Sequence, residues 1–281
     1  MKATISPAAA EGSECAALYD GMTALDTDTL RMAGAAFLRV GGGVALSVRA
    51  DPAHFWTKAL GFGFARPVNR HLIGQLTDFY REQDVPVATL QLAPSVIPAN
   101  WDEISAAAKL SADGELAKLV CETEVAVTRA GAGLYEGLRV GPVAPDQRAE
   151  WSTTMMGIFG MLDGYSVAMA AACVGRPGWH PYAVWAGEQI VATAAMYVNG
   201  ETAQFFGGST LPEYRGRGAQ TALIAARASA ARAAGCRWLV AETEPEAPGG
   251  HVTSLRNLRR VGFEVLYERT NWTWRLAEIG Q

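Results

Sequence analysis

The sequence predicts an α/β (α+β) protein of two domains, and three observations point there. The chain has 281 residues, beyond the usual single-domain size, so two domains of roughly 130–150 residues are expected. Apolar residues recur at helical spacing in some segments and alternate in others, which interleaves helices with strands. Between two alternating runs stands Asn199-Gly200, the dipeptide of a type I′ hairpin, whose central residues both need positive φ. Hydrophobic residues make up 49% and charged residues 19%. That is ample for packed cores and argues against a disordered or fibrous chain.

Taken in order, a polar, small-residue beginning leads into strand material over Ala35–Val48, broken at Gly41-Gly42-Gly43. His71–Glu82 carries Leu72, Ile73, Leu76, Phe79 and Tyr80 at helical spacing. Val87–Leu92 alternates as a strand, Trp101–Lys109 reads as helix and Leu119–Val127 as strand. The run Arg129–Gly133 is a linker, so the domains are expected at 1–130 and 131–281. The second half opens with a strand over Gly137–Val140 and helical segments from Asp146 to Val174. Tyr182–Trp185, Ile190–Val198 and Thr202–Gly207 follow as strands. An Ala-rich helix, Gly218 to Ala234, is closed by Gly235. Strand Arg237–Thr243, helix Thr253–Val261 and a strand pair over Phe263–Leu276 complete the chain.

Charge and cysteine usage exclude several classes. The net charge is −4, and no Lys/Arg block exists to grip nucleic acid or an anionic membrane. Cys15, Cys121, Cys173 and Cys236 are too scattered for a metal cage or a disulfide framework, so a reducing cytoplasm is expected and no metal. The apolar region Met155–Val174 is broken by Gly157, Gly160, Asp163 and Gly164, which argues against a bilayer span. No signal peptide is evident. A faint repeat runs through the chain: at an offset of about 151 residues, Leu72, Ile73, Arg81 and Pro94 match Leu223, Ile224, Arg232 and Pro245.

The most informative stretch is Leu211-Pro212-Glu213-Tyr214-Arg215-Gly216-Arg217-Gly218-Ala219-Gln220, between a strand and a long helix. Its glycines let backbone approach a ligand closely, and the helix start offers N–H donors with the positive end of the dipole. Arg215 and Arg217 add positive charge where a pyrophosphate would sit. On the string alone, a glycine-rich turn with two solvated arginines fits as well.

The order hairpin strands, glycine turn, helix, strand, helix ending in Arg260-Val261-Gly262-Phe263, and final strands resembles the GNAT superfamily of acyl-CoA-dependent N-acetyltransferases. The resemblance covers Tyr135 to Leu276. The segment Pro212 to Gly218, with Leu223, is similar to the superfamily's CoA pyrophosphate loop, R/Q-x-x-G-x-G/A, except at the last position, which is Gln220. Ser254, Asn257 and Gly262-Phe263 are similar to its last motif. The resemblance implies two tandem GNAT-like domains, each a mixed, mostly antiparallel twisted sheet flanked by helices. It implies acetyl-CoA, or another acyl-CoA, as co-substrate, held by Ser209, Thr210, Leu211, Arg215, Gly216, Arg217, Gly218, Ala219, Gln220, Asn257 and Arg260. The offset places Phe64 and Pro67 opposite Arg215 and Gly218. A proline offers no N–H, so the first half is expected to be a degenerate copy.

The implied reaction moves an acetyl (or other acyl) group to a primary amine of a small molecule, by direct attack in a ternary complex. A longer-chain N-acyltransferase of secondary metabolism and a silent CoA-binding module are the alternatives. The partner is a small-molecule amine, with no nucleic acid and no membrane, and the protein is a monomer or homodimer. The family's usual acid and base do not carry over: Leu258 stands where a Tyr is usual, and Thr202, near Gln204, where a Glu is usual. The helix, about 25 Å long at about 1.5 Å per residue, and the returning strand, about 23 Å, bring Glu242 and Glu244 back beside the glycine turn. With His251 they are the available bases. The alternative is loop solvation for the two glutamates and a cap of the last helix for His251. Met155, Met156, Phe159, Met161 and Met169, with Trp179 and Trp185, read either as core filling or as a flexible apolar pocket.

Overall fold

The computed structural model describes residues 5–131, 133–246 and 252–276. Ser6 caps α1 (Pro7–Thr23) by accepting from the Ala9 N–H, with Pro at the first helical position. Asp26 caps α2 (Thr27–Ala33) in the same way. Both helices stand where the sequence reading saw only a polar beginning. Next come β1 (Ala35–Val40), β2 (Gly43–Val48) and the short β3 (Lys58–Leu60), then α3 (Arg70–Glu82), capped by Asn69. They are followed by β4 (Val87–Gln91), α4 (Trp101–Ala107), β5 (Ser111–Glu122) and α5 (Thr123–Arg129). The strand expected over Leu119–Val127 thus ends at Glu122. There the Thr123 N–H turns to the Arg237 carbonyl and the chain continues as helix.

The rest comprises β6 (Leu138–Pro142), α6 (Arg148–Phe159), α7 (Gly164–Ala172), β7 (Trp179–Ala186), β8 (Gln189–Asn199) and β9 (Thr202–Thr210). It closes with α8 (Ala219–Ala233), β10 (Trp238–Thr243), α9 (Thr253–Val261) and β11 (Glu264–Arg275). The expected final strand pair is one continuous strand, as no Gly or Pro interrupts 264–275.

The chain divides into two compact units, Met1–Ala24 with Ala117–Leu266, and Leu25–Leu116 with Tyr267–Gln281. The division differs from 1–130 and 131–281 for a topological reason. In the larger unit, residues 117–122 of β5 pair antiparallel with β10, although β5 belongs to the first half of the sequence. In the smaller unit, residues 271–275 of β11 pair antiparallel with β4. Each unit takes its last strand from the other half of the sequence.

In the larger unit the strand order is β5-β10-β9-β8-β7-β6, antiparallel except for parallel β9–β10. One face carries α8 and α9, whose Ile224, Ala228, Leu255 and Leu258 share a core with Leu119, Leu239 and Ala241. On the other face α1, α6 and α7 bring Ala17, Trp151, Met155 and Ala170 against Ala183, Trp185 and Ala195. In the smaller unit β1-β2-β3-β4-β11 is antiparallel except for parallel β3–β4. There Leu72, Ile73, Leu76, Tyr80, Trp101 and Ile104 pack on Ala88, Leu90 and Trp274. β3-α3-β4 and β9-α8-β10 are therefore the same strand–helix–parallel strand unit. Leu72 and Leu223, like Ile73 and Ile224, are buried at matching places.

Candidate active site

β9 ends at Thr210, a single 3₁₀ turn follows over Pro212–Tyr214, and α8 begins at Ala219. Gly216 and Gly218 lie between them at φ 76° and 81°, the left-handed region that glycine enters without strain. Gly218 is the N-cap of α8 and has no side chain to satisfy the helix's first N–H groups. A Cβ there would fall on the carbonyl oxygen of Gly133, so the position requires glycine for space as well. The Tyr135 N–H donates to the Arg217 carbonyl at 3.3 Å. The segment read as a linker thus packs against the turn.

This turn forms one side of a cavity of about 1080 Å³. Of the residues expected to hold the cofactor, Ser209, Thr210, Arg215, Gly216, Gly218, Ala219, Gln220, Asn257 and Arg260 line it. Leu211 and Arg217 do not. Leu211 lines an adjoining cavity of about 440 Å³ that shares Arg215, and the Arg217 guanidinium lies 5.0 Å over the Tyr214 ring. Asn257 donates from Nδ2 to Gln220 Oε1 and accepts from Arg260 at 3.3 Å, which ties α9 to the first turn of α8. Ser254 and Thr243 join their hydroxyls at 2.8 Å. The sequence reading missed Arg129, Gly133, Tyr135 and Ile158 on the wall, whereas Phe159, named there within the Met-rich cluster, lines it. Their only signal was Tyr135 at the edge of a glycine-rich segment.

Beside the cavity, β9 parts from β10. The two strands pair at Thr202–Trp238, Ala203–Leu239 and Gln204–Val240, while β9 runs on to Thr210 and β10 to Thr243. A register shift in β8 between Thr193 and Ala195 accompanies the divergence. Arg227 of α8, 3% exposed, props this region by donating to the carbonyls of Leu223, Ala195 and Phe206 at 3.1, 3.0 and 3.3 Å. Burial pushes its guanidinium down to about 9, against an opposing pull from Tyr182.

Glu242 lies two residues past the last β9–β10 pair and opposes Lys118 across β5–β10. The Lys118 ammonium, fully buried, lies 3.1 Å from the Glu242 carboxylate. It also bonds Glu14 of α1. One cation thus holds two carboxylates, an arrangement whose removal by single substitution is costly in a buried setting. Glu244 is exposed, and neither it nor Glu242 lines the cavity. His251 lies outside the described residues. Burial pushes the Cys236 thiol up, and its Sγ faces the carbonyls of Gly200 and Thr202, as a core thiol would. Among the described residues, no group of three His, Cys, Asp or Glu side chains is placed to hold a metal. No described helix is long and apolar enough to cross a membrane.

The fold has relatives among solved structures. A GCN5-related N-acetyltransferase from Kribbella flavida superposes with a TM-score of 0.63 at 16% identity, covering 96% of this chain and 97% of that one. A tandem GNAT protein from the clavulanic acid biosynthesis pathway gives 0.63 at 14% identity, covering 95% and 89%. A GCN5-related N-acetyltransferase from Sphaerobacter thermophilus gives 0.55 at 13% identity, covering 86% and 76%. At such identities the likeness is one of fold. No curated protein matches the sequence. The profile of the acetyltransferase (GNAT) family matches residues 145–249, the stretch that holds the diverging strands, the glycine turn and α8. Over that stretch, and over that stretch alone, the chain is similar to the acetyltransferase (GNAT) family.

Proposed function

We propose that the protein transfers an acetyl group from acetyl-CoA to a primary amine of a small molecule, by direct attack. The observation that carries this is the meeting of three features in one cavity: the uncapped, glycine-led start of α8, the arginines 215 and 260, and the strand β9 where it leaves β10. The first two suit a pyrophosphate, since N–H groups at a helix start and guanidinium donors both favour anions. The volume exceeds the roughly 300–1,000 Å³ typical of pockets for drug-sized ligands, which suits a large nucleotide-containing molecule. Asn257, fixed between Gln220 and Arg260, is placed to donate to an amide-bearing arm that leaves the phosphates toward β9. When bound, acetyl-CoA supplies the reactive thioester carbonyl.

An alkyl ammonium has a pKa near about 10 and must lose a proton before it can attack. Glu242, which does not itself line the cavity, is our choice of acceptor acting through water, because it lies two residues past the last β9–β10 pair. A leaving thiol comparable to cysteine, with a pKa of about 8.5, departs as thiolate without a strong acid. That suits Leu258, buried on α9, at the place where the family usually has a Tyr. A silent CoA-binding module is the second reading. It is favoured by the engagement of Glu242 with Lys118 and by Thr202 where a Glu is usual.

The first half, in this reading, binds no cofactor. Pro67 precedes α3 without an N–H, and the neighbouring loop is closed: Phe62 is 1% exposed, and a Cβ on Gly63 would strike the Val96 side chain. Calorimetry with acetyl-CoA is expected to give one site per chain, and thiol release with a panel of amines to give turnover. Two equivalent sites would remove the degenerate first half. Tight binding without thiol release would leave the silent module.

A further inference from the structure

The cavity does not end at the diverging strands. Its wall continues onto α6 through Ile158 and Phe159. One turn earlier on the same helix stands Met155, 4% exposed, since residues three and four apart share a helix face. Met155 packs onto Gly207 of β9. A Cβ built on Gly207 would lie 2.5 Å from Met155 Cε and 2.7 Å from its Sδ. The thioether therefore occupies the space that a side chain at 207 would take. Gly207 has φ 59°, which turns the strand beyond its last pair with β10, and its neighbour Gly208 lines the cavity. Behind Met155 the core is closed by Trp151, Met156, Trp179 and Trp185, each less than 10% exposed.

The consequence concerns the acyl group. A thioester arm that runs from the glycine turn along β9 reaches Gly207–Gly208, and beyond that point the room is taken by Met155 and the tryptophans. We infer that Met155, seated on Gly207, sets the length of the acyl group and restricts the site to short acyl chains, acetyl above all. The inference rests on the reading of the cavity as an acyl-CoA site. A longer chain has to displace a packed thioether, and overpacking of this kind weakens binding by about tenfold or more.

The test needs no knowledge of the amine. Dissociation constants of CoA, acetyl-CoA, butyryl-CoA and octanoyl-CoA are measured by calorimetry on the unmodified chain, on Met155→Ala and on Met155→Val, with thermal unfolding as a check on folding. On the unmodified chain octanoyl-CoA is expected to bind about tenfold or more weakly than acetyl-CoA. In the variants the ratio of octanoyl-CoA to acetyl-CoA affinity is expected to rise about tenfold, more for Ala than for Val. Equal affinities along the series on the unmodified chain overturn the inference, even if neither variant folds. An unchanged ratio in a folded variant overturns it too. If neither CoA nor acetyl-CoA binds, the acyl-CoA reading fails and the inference goes with it. Failure of the inference alone shows as binding of acetyl-CoA without chain-length selection.

Discussion

At the residue level the ion cluster of Glu14, Lys118 and Glu242 separates two roles that a lone glutamate would confuse. Glu242→Gln leaves the Glu14–Lys118 pair in place, so the fold is expected to tolerate it, while turnover falls by roughly 10²–10⁴-fold. Raising the pH is expected to rescue part of that loss, because more of the amine is then neutral. Glu244→Gln, at an exposed position past the end of β10, is expected to leave turnover within about twofold of normal, since a solvated carboxylate there exchanges its proton with bulk water rather than with the bound amine. Steady-state rates across pH check both, and equal rates for all three proteins would show that the amine loses its proton to solvent. Lys118→Met removes the buried cation between Glu14 and Glu242 and is expected to cost about 3–5 kcal/mol in denaturant unfolding. None of this cluster was legible beyond Glu242 itself. Glu14 and Lys118 are 104 residues apart, and a lysine on a strand reads as solvated until the elements that cover it are known.

Among the elements, α8, the hairpin of β8 and β9, and α9 were legible because each carries its own local signal. A capping glycine, an Asn-Gly turn and a helical apolar stripe needed no tertiary information. The helix α1 had none of these. Its buried positions include Ala10, Glu11, Ser13, Glu14 and Gly21, so it shows no apolar stripe, and beyond the Ser6 cap and Pro7 it is packing against the sheet that selects the helix. β3 has three residues, too few for a periodicity to register. What pins α1 is Asp20, which accepts from Arg176 at 2.6 and 2.9 Å and from the Trp179 indole at 2.8 Å. Burial alone would raise the Asp20 carboxyl. The hydrogen bonds from Arg176 and Trp179, with the arginine's charge, outweigh it and hold the group below the usual aspartate range. A carboxyl lowered on folding contributes its stability in full above its unfolded value, near about 3.9, and loses it as the pH falls through the lower folded value. Asp20→Asn is therefore expected to cost about 1 kcal/mol at neutral pH, allowing for solvent screening. The difference from the unmodified chain should shrink below about pH 4. Melting curves between pH 7 and pH 3 check it, and a difference independent of pH would show that the ionised form contributes nothing special.

For the molecule as a whole, the order of elements from α6 to α9 was legible in the sequence, and the grouping was not. Periodicity and turns act over a few residues, whereas the pairing of β5 with β10 and of β11 with β4 is decided by partners far along the chain. A fragment of residues 131–281 keeps the glycine turn and α8 but loses β5 and α1, and with them Lys118 and Glu14. It is expected to be unfolded or insoluble despite containing the whole family match. Circular dichroism and amide exchange on the fragment check this, and a cooperatively folded fragment that binds acetyl-CoA would refute it.

The exchanged strands also bear on how the protein is made. On a ribosome, the segment that starts at Leu25 would ordinarily collapse first, since domains fold as they emerge. Here its sheet lacks the strand that closes it until residues 271–275 have left the exit tunnel, and Gln91 meets Asn271 across a separation of 180 residues. Until then the edge of β4 stays open, with unpaired N–H and C=O groups that invite other chains. Closing so long a loop is slow as well as entropically expensive. While residues 92–270 are being made, the nascent chain thus carries a half-finished sheet, and it is there, rather than in the finished molecule, that dependence on chaperones should concentrate.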